Sequence, residues 1–242
     1  MRDLKWHIDL GCFHSELFLE NAVVKMVSEL VHRCDKKWSA TGDDVEYCML
    51  LLLTHQDSKP LFMGYAQPFT PAANVDSQVL LVGAAPRPSP TIKSSQWAKD
   101  RIKYQARLKA PVLEAILYDP DGGDIYEGLL TNFYVITRDD SNRVAVMTAP
   151  RGTVLEGTSC WMVEQVCDKL GIQFIRKHPS IRDADVWEGA FITSALRTCH
   201  SVSVIHLDDA SRTVVRLPTD QHVLDRMRNE LLQSLHSFST QI

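Results

Sequence analysis

An α/β protein of two lobes, an abbreviated α+β N-terminal lobe and a larger C-terminal one, is the fold class this sequence predicts. Three observations predict it. Apolar residues at helical spacing alternate along the chain with short apolar runs of strand length that end in turn residues. A proline-dense stretch, AAPRPSPT at 84–91, interrupts that pattern. Finally, 242 residues that are 45% hydrophobic and 23% charged have the composition of a globular chain, which excludes a disordered or collagen-like one.

The first element is a helix over Glu16 to Val31, where Leu17, Leu19, Ala22, Val23, Met26, Val27, Leu30 and Val31 recur at steps of three and four. A polar loop from Lys36 to Asp44 leads to YCMLLLLTH, LFMGYA and SQVLLVGA, read as three strands of one sheet. Each proline of the following stretch fixes its own φ and biases its predecessor away from helix, so the chain there is extended. The expected division is therefore 1–85 for the N-terminal lobe, 86–92 for a linker and 93–242 for the C-terminal lobe. In the second lobe, SSQWAKDRIKYQARLK has helical spacing and stops at Pro111. VLEAILYD, a DPDGGD turn and NFYVIT then alternate like hairpin strands, and RVAVMTA adds another. TSCWMVEQVCDKLG reads as a helix with Trp161, Met162, Val166 and Leu170 on one side and Gly171 as its C-cap. QFIRKH, GAFITS, SVSVIHL and TVVRL supply further strands, and a final amphipathic helix runs from Asp220 to Ser237.

Composition also limits function. A net charge of -4 provides no bulk field for polyanions, and no local basic patch stands out. No apolar stretch approaches the roughly 20 residues that span a bilayer, and MRDLKWHIDL lacks a signal-peptide core, so an intracellular protein is expected. Six scattered cysteines read as reduced thiols. There is no GxGxxG, no GxSxG and no HExxH; the nearest ligand pairs, Cys12/His14 and Cys199/His200, are too few for zinc, and no metal is expected. GTVLEGTS at 152–159 has the outline of a P-loop, but Thr158 stands where the lysine belongs. Two readings of this helix start remain open: an anion site formed by free N–H groups, or simple N-capping by Thr158 or Ser159.

Five pieces in order carry a resemblance: Lys93 followed by SSQW, EGLLTNFYV at 127–135, TAP at 148–150, VLEGTS at 154–159 and AFITSALR at 190–197. With thirty-four residues from Lys93 to Glu127, this order resembles the fold-type IV pyridoxal-phosphate enzymes over roughly Ser77 to Leu207. That superfamily comprises the class-IV aminotransferases and 4-amino-4-deoxychorismate lyase. The resemblance implies pyridoxal 5'-phosphate as cofactor, an amino acid or amino-carboxylate as substrate, transamination or elimination as the reaction, and a homodimer. Lys93 matches the lysine that binds the cofactor aldehyde and shuttles the proton at the substrate Cα. Glu127 matches the carboxylate opposite the pyridine nitrogen. Leu155 matches the residue packed on the ring, and Thr158 and Ser159 the phosphate donors. Trp97 takes the place of an aromatic near the phenolic oxygen, its indole N–H able to donate. Ser194, Ala195 and Leu196 match a turn whose amides bind phosphate or substrate carboxylate, and Arg197 adds a charge for an acidic substrate group. Asn132 is expected to stabilise the hairpin.

Read without the pattern, Lys93 is a solvated linker lysine, Glu127 a polar hairpin residue and Trp97 a core residue. The sequence also departs from the family. Its phosphate-binding arginine in the N-terminal lobe has no counterpart in this shortened N-terminus, the arginine after the phosphate threonine is Cys160, the distal threonine is Ala195, and Glu156 adds a negative charge beside the cup. The only nearby replacement is Arg101. Weak cofactor binding is therefore expected, with a non-catalytic or regulatory relative as the alternative function.

Overall fold

The computed structural model describes residues 4–7, 15–38, 46–57, 59–70, 77–139, 141–208, 213–218 and 221–238. Cys12, His14 and the polar loop at 39–45 lie outside them. Chain contacts divide into two compact units, one within Met1–Pro71 and the other within Ala72–Ser239.

In the first unit, α1 (Glu16–Trp38) continues about two turns past the expected end. Cys34 extends the apolar stripe, since Met26, Leu30 and Cys34 recur every fourth residue and all are buried against Phe62 and Ala66. These belong to β3 (Lys59–Phe69), which forms an antiparallel hairpin with β2 (Glu46–Gln56) from Glu46↔Phe69 to Gln56↔Lys59. The strand β1 (Leu4–His7) pairs with the other edge of β3.

The strand β4 (Ser77–Gly83) corrects the sequence reading: it lies in the sheet of the second unit, parallel to two partners, not beside β2 and β3. Its Val79, Leu81 and Val82 are wholly buried, which is the pattern of a central parallel strand covered on both faces. The division thus falls at Pro71, and the proline-dense segment connects elements of a single unit. Beyond it, the expected long helix is two short ones, α2 (Gln96–Asp100) and α3 (Ile102–Gln105). Only Trp97 among these residues is buried, so no continuous apolar face holds a longer helix together.

The remaining strands are β5 (Val112–Tyr118), β6 (Ile125–Gly128), β7 (Asn132–Arg138), β8 (Val144–Thr148), β9 (Gln173–Arg176), β10 (Gly189–Ser194), β11 (Arg197–Leu207) and β12 (Val214–Arg216). Their order, β10-β11-β4-β5-β6-β7-β8-β9, closes on itself because β7 also pairs with β10. Six strands therefore form a ring, with β8 and β9 extending from β7 and β12 from β11. Val79, Leu81, Ile116, Phe133, Val135, Ile192 and Val202 pack in one cluster of this ring. A second cluster joins Tyr134, Ile136 and Phe191 to α4 (Thr158–Leu170) and α5 (Gln221–Phe238). The buried stripe of α4 is Cys160, Met162, Val163, Val166 and Cys167; Trp161, expected on it, is 45% exposed. Gly171 ends α4 at φ 66°, the left-handed C-cap its position predicts. Among the described residues, no helix is long and apolar enough to cross a membrane.

Candidate active site

The site is built on the β6–β7 hairpin. Gly128 N–H bonds Thr131 O at 2.8 Å, and the turn places Glu127 opposite Asn132. Both side chains grip one residue. Leu155 N–H donates to Glu127 Oε2 at 3.0 Å, while Asn132 Nδ2 donates to Leu155 O at 2.8 Å. The loop before α4 is thereby fixed to the hairpin at both polar groups of Leu155. Asn132→Ala is expected to cost about 1 kcal/mol by removing one of the two donors to that carbonyl, the other being Gly157 N–H at 3.0 Å. The measurement is a urea midpoint; an unchanged midpoint would mean the loop is held elsewhere.

Gly157, extended at φ -72° and ψ 163°, is the N-cap of α4, and no side chain caps the helix. Thr158 and Ser159 are its first two helical residues, so neither is the capping residue. Their position leaves the helix start open to an anion. Glu156, whose charge opposes such a ligand, lies 3.6 Å from Arg151 Nε and 3.4 Å from Arg176 Nη1. Both arginines also donate to Glu164 Oε2, at 2.8 and 2.9 Å, and Arg176 Nη1 reaches Cys160 Sγ at 3.5 Å. Burial pushes the Glu164 carboxyl up, but the bonds and charges of Arg176 and Arg151 outweigh it and hold it below the usual range. The cup is flanked by a neutral set of two arginines and two glutamates. Arg101, the replacement the sequence offered, is not part of that set.

Glu127 has a further partner that sequence reasoning missed. Arg87, in the proline-dense segment, places Nε 3.0 Å from Glu127 Oε1, with the two side chains only 5% and 6% exposed. Its Nη2 donates to Pro90 O and, at 3.3 Å, to Ile92 O, and its guanidinium lies 6.0 Å from the Trp97 ring centre. An arginine set among three prolines was the available signal, because a rigid extended segment can hold a long side chain in one place. The Glu127 carboxyl is pushed up to about 7 by burial, against which Arg87, the Leu155 N–H and the Lys93 charge all act. Lys93 itself is exposed. Glu127 Oε1, despite its nearness to Arg87, has no aligned hydrogen bond among the described residues. A buried acceptor in that state fits a ring N–H, and the uncapped α4 start fits a phosphate.

Three expectations need correction. The Trp97 indole N–H donates to Leu129 O at 2.9 Å, so its one donor is already used and does not face a phenolic oxygen. In the turn between β10 and β11, the Leu196 and Arg197 N–H groups bond Ser194 Oγ at 3.3 and 3.1 Å, which closes the turn on itself. Ala195 and Leu196 are exposed at its tip. Arg197 is not a free cation: its Nη1 lies 3.1 Å from Glu114 Oε2.

Comparison with solved structures places the fold. The fold IV transaminase CpuTA1 from Curtobacterium pusillum superposes with a TM-score of 0.70 at 18% identity, covering 92% of this chain and 73% of that one. A hypothetical aminotransferase from Mycobacterium tuberculosis in its PLP-bound form gives 0.60 at 15% identity, over 82% and 72%. The branched-chain aminotransferase of the thermophilic archaeon Thermoproteus uzoniensis, with norvaline, gives 0.59 at 18%, over 81% and 67%. No curated protein matches the sequence significantly. At the level of sequence, amino-transferase class IV matches residues 15–205, most of the length, and the chain belongs to that family.

Proposed function

We propose that this chain is a pyridoxal 5'-phosphate-dependent aminotransferase acting on an amino acid or amino-carboxylate as a homodimer. The observation that carries the reading is Glu127: a buried carboxylate with an unaligned acceptor oxygen, within reach of the charge of Lys93 and bonded to the loop that opens α4. Its place in the class-IV family and the cofactor bound by the Mycobacterium tuberculosis relative support it. When bound, the cofactor supplies a ring that accepts electrons as the substrate Cα loses its proton. Glu127 would hold the proton on the ring nitrogen, with Arg87 keeping Glu127 oriented. The N–H groups and hydroxyls of Thr158 and Ser159, which open α4, would hold the phosphate, and Leu155 would support the ring. Lys93 Nζ would hold the cofactor aldehyde and carry the proton at the substrate Cα. Elimination uses the same lysine and glutamate, so the products formed from a β-substituted amino acid distinguish it.

Incubation with pyridoxal phosphate, borohydride reduction and peptide mapping test the assignment. The adduct is expected on Lys93, and an adduct on Lys99 or Lys103 would overturn it. With Arg151 and Arg176 both committed to glutamates, the cofactor is expected to be lost on prolonged dialysis. Ser159→Ala should weaken what binding there is by about tenfold, the loss of one charge-assisted hydrogen bond. The same paired arginines favour a second reading, a relative that kept the fold without tight cofactor binding; it holds if no lysine adduct forms at millimolar cofactor.

A further inference from the structure

A cavity of about 770 Å³ lies among the proline-dense segment, α2 and α3, within the second unit. None of Lys93, Glu127, Leu155, Thr158 or Ser159 lines it. Its wall holds two aromatic rings, Trp97 and Tyr104, with centres 6.4 Å apart, and three cations, Arg87, Lys99 and Lys103. The volume is that of a small-molecule site, for which about 300–1,000 Å³ is usual. Arg87 is held from the other side: Nη2 bonds Pro90 O and Ile92 O and Nε faces Glu127, while Nη1 makes no hydrogen bond among the described residues. Glu127, at about 7, carries only part of its charge near neutral pH and does not fully balance that guanidinium. Lys99 and Lys103 are exposed, and neither has a carboxylate partner among the described residues. The Lys103 ammonium stands instead 4.8 Å from the centre of the Tyr104 ring. Asp100, the one carboxylate on the wall, accepts from Gln96 Nε2 at 2.9 Å.

We propose that this cavity is a binding site for a small aromatic or heteroaromatic anion, separate from the site of Lys93 and Glu127. The ring of the ligand packs against Trp97 and Tyr104, and its anionic group meets the ammonium groups of Lys99 and Lys103. Both parts are needed. Exposed lysines alone hold a bare inorganic anion weakly, because their charges are screened by salt and their stems are free to move. A neutral ring alone gains the apolar burial but leaves three cations facing one carboxylate. An anion carried on a ring uses the aromatic wall to place its charge where the lysines reach it. The proposal stands whether or not the chain is an aminotransferase, since it uses none of the residues assigned to that chemistry except the outer edge of Arg87.

Naphthalenesulfonate and naphthalenesulfonamide, alike in shape and different in charge, test this beside inorganic sulfate, each titrated by calorimetry into the full chain at neutral pH. The sulfonate is expected to bind at least about tenfold more tightly than either the sulfonamide or sulfate. The double variant Lys99→Gln/Lys103→Gln should weaken the sulfonate at least about tenfold and leave the sulfonamide within about twofold. Both side chains are exposed, so its urea midpoint should stay that of the unaltered protein. The titrations are repeated after pyridoxal phosphate has been fixed with borohydride and the excess removed, and the sulfonate affinity should again stay within about twofold. Equal affinities for sulfonate and sulfonamide, or a preference that survives loss of both lysines, would overturn the proposal. Sulfate binding as tightly as the sulfonate would reduce the site to a cationic patch and overturn it as well. Sulfonate binding abolished by the fixed cofactor would make the cavity part of the cofactor site, with the same result. If no adduct forms, the aminotransferase reading fails by itself, and the lysine variant still decides the proposal.

Discussion

Lys93→Ala is expected to lower the rate of amino-group transfer by at least about a thousandfold, equivalent to about 4 kcal/mol of transition-state stabilisation. Lys93 is exposed and makes no hydrogen bond or ion pair among the described residues, and what it exerts on the site is the field of its charge at Glu127. Stability should therefore stay unchanged while activity collapses. Cofactor binding should persist in reduced form, because the α4 start and Glu127 do not depend on the amine. Single-turnover absorbance with an amino acid substrate reads the rate, and a urea midpoint reads the fold. A variant that keeps full activity places the reactive amine elsewhere.

Arg87→Met is expected to have the largest effect on stability. It removes the counter-ion of a side chain that is only 6% exposed, and stranding a buried carboxylate costs about 3–5 kcal/mol unless the group takes up a proton. That escape gives the prediction its pH dependence. Glu127 sits at about 7 in the folded chain against an ordinary value of 4.5, so the folded state holds the proton more tightly. Its contribution to stability is fully present below about 4.5 and is lost as pH rises through 7. Without Arg87 the folded value rises further. The variant's deficit should be small at pH 5 and widen above pH 7. Glu127→Gln has no carboxyl there to titrate and should lack that widening; it should retain the cofactor but lose at least about tenfold in rate, about 1.4 kcal/mol. Urea unfolding at three pH values checks both variants, and parallel curves for Arg87→Met and Glu127→Gln would refute the linkage.

The elements legible in the sequence are those whose own periodicity decides them. α4 and its Gly171 cap, α1, α5 and the hairpins of the second unit stand close to where the apolar spacing puts them. β4 was read as a strand but assigned to the wrong sheet, because an apolar run reveals burial and not the partner. The split of 96–105 into α2 and α3 depends on which faces meet the ring, and spacing alone does not show that. At the site, the resemblance led to Glu127, Leu155 and the start of α4, which the fold brings together through two bonds to Leu155. It did not lead to Arg87, Arg176 or Glu114. Each acts through a partner on another element, forty residues away for Arg87 and more than eighty for Glu114 with Arg197, and no local pattern marks such a pairing. The bond of the Trp97 indole to Leu129 O and the pairing of Arg197 with Glu114 escape the sequence for the same reason, since both neighbours are visible only in three dimensions.

The pairing of β4 with β11 governs how the molecule is made. Val202 stands opposite Ser77, so closing the ring joins segments separated by more than half of the chain. Such a contact carries a large loop-closure cost before it returns any stability, and folds dominated by such contacts form slowly. On the ribosome, the hairpin with Glu127 emerges well before β10 and β11 do. Until those strands arrive, β4 has one open edge and β7 another, both apolar and unpaired. The nascent chain is therefore most exposed to misassociation in the interval between synthesis of α4 and of β11, and the ring with its Arg87–Glu127 and Arg197–Glu114 pairs is complete only after most of the chain has emerged.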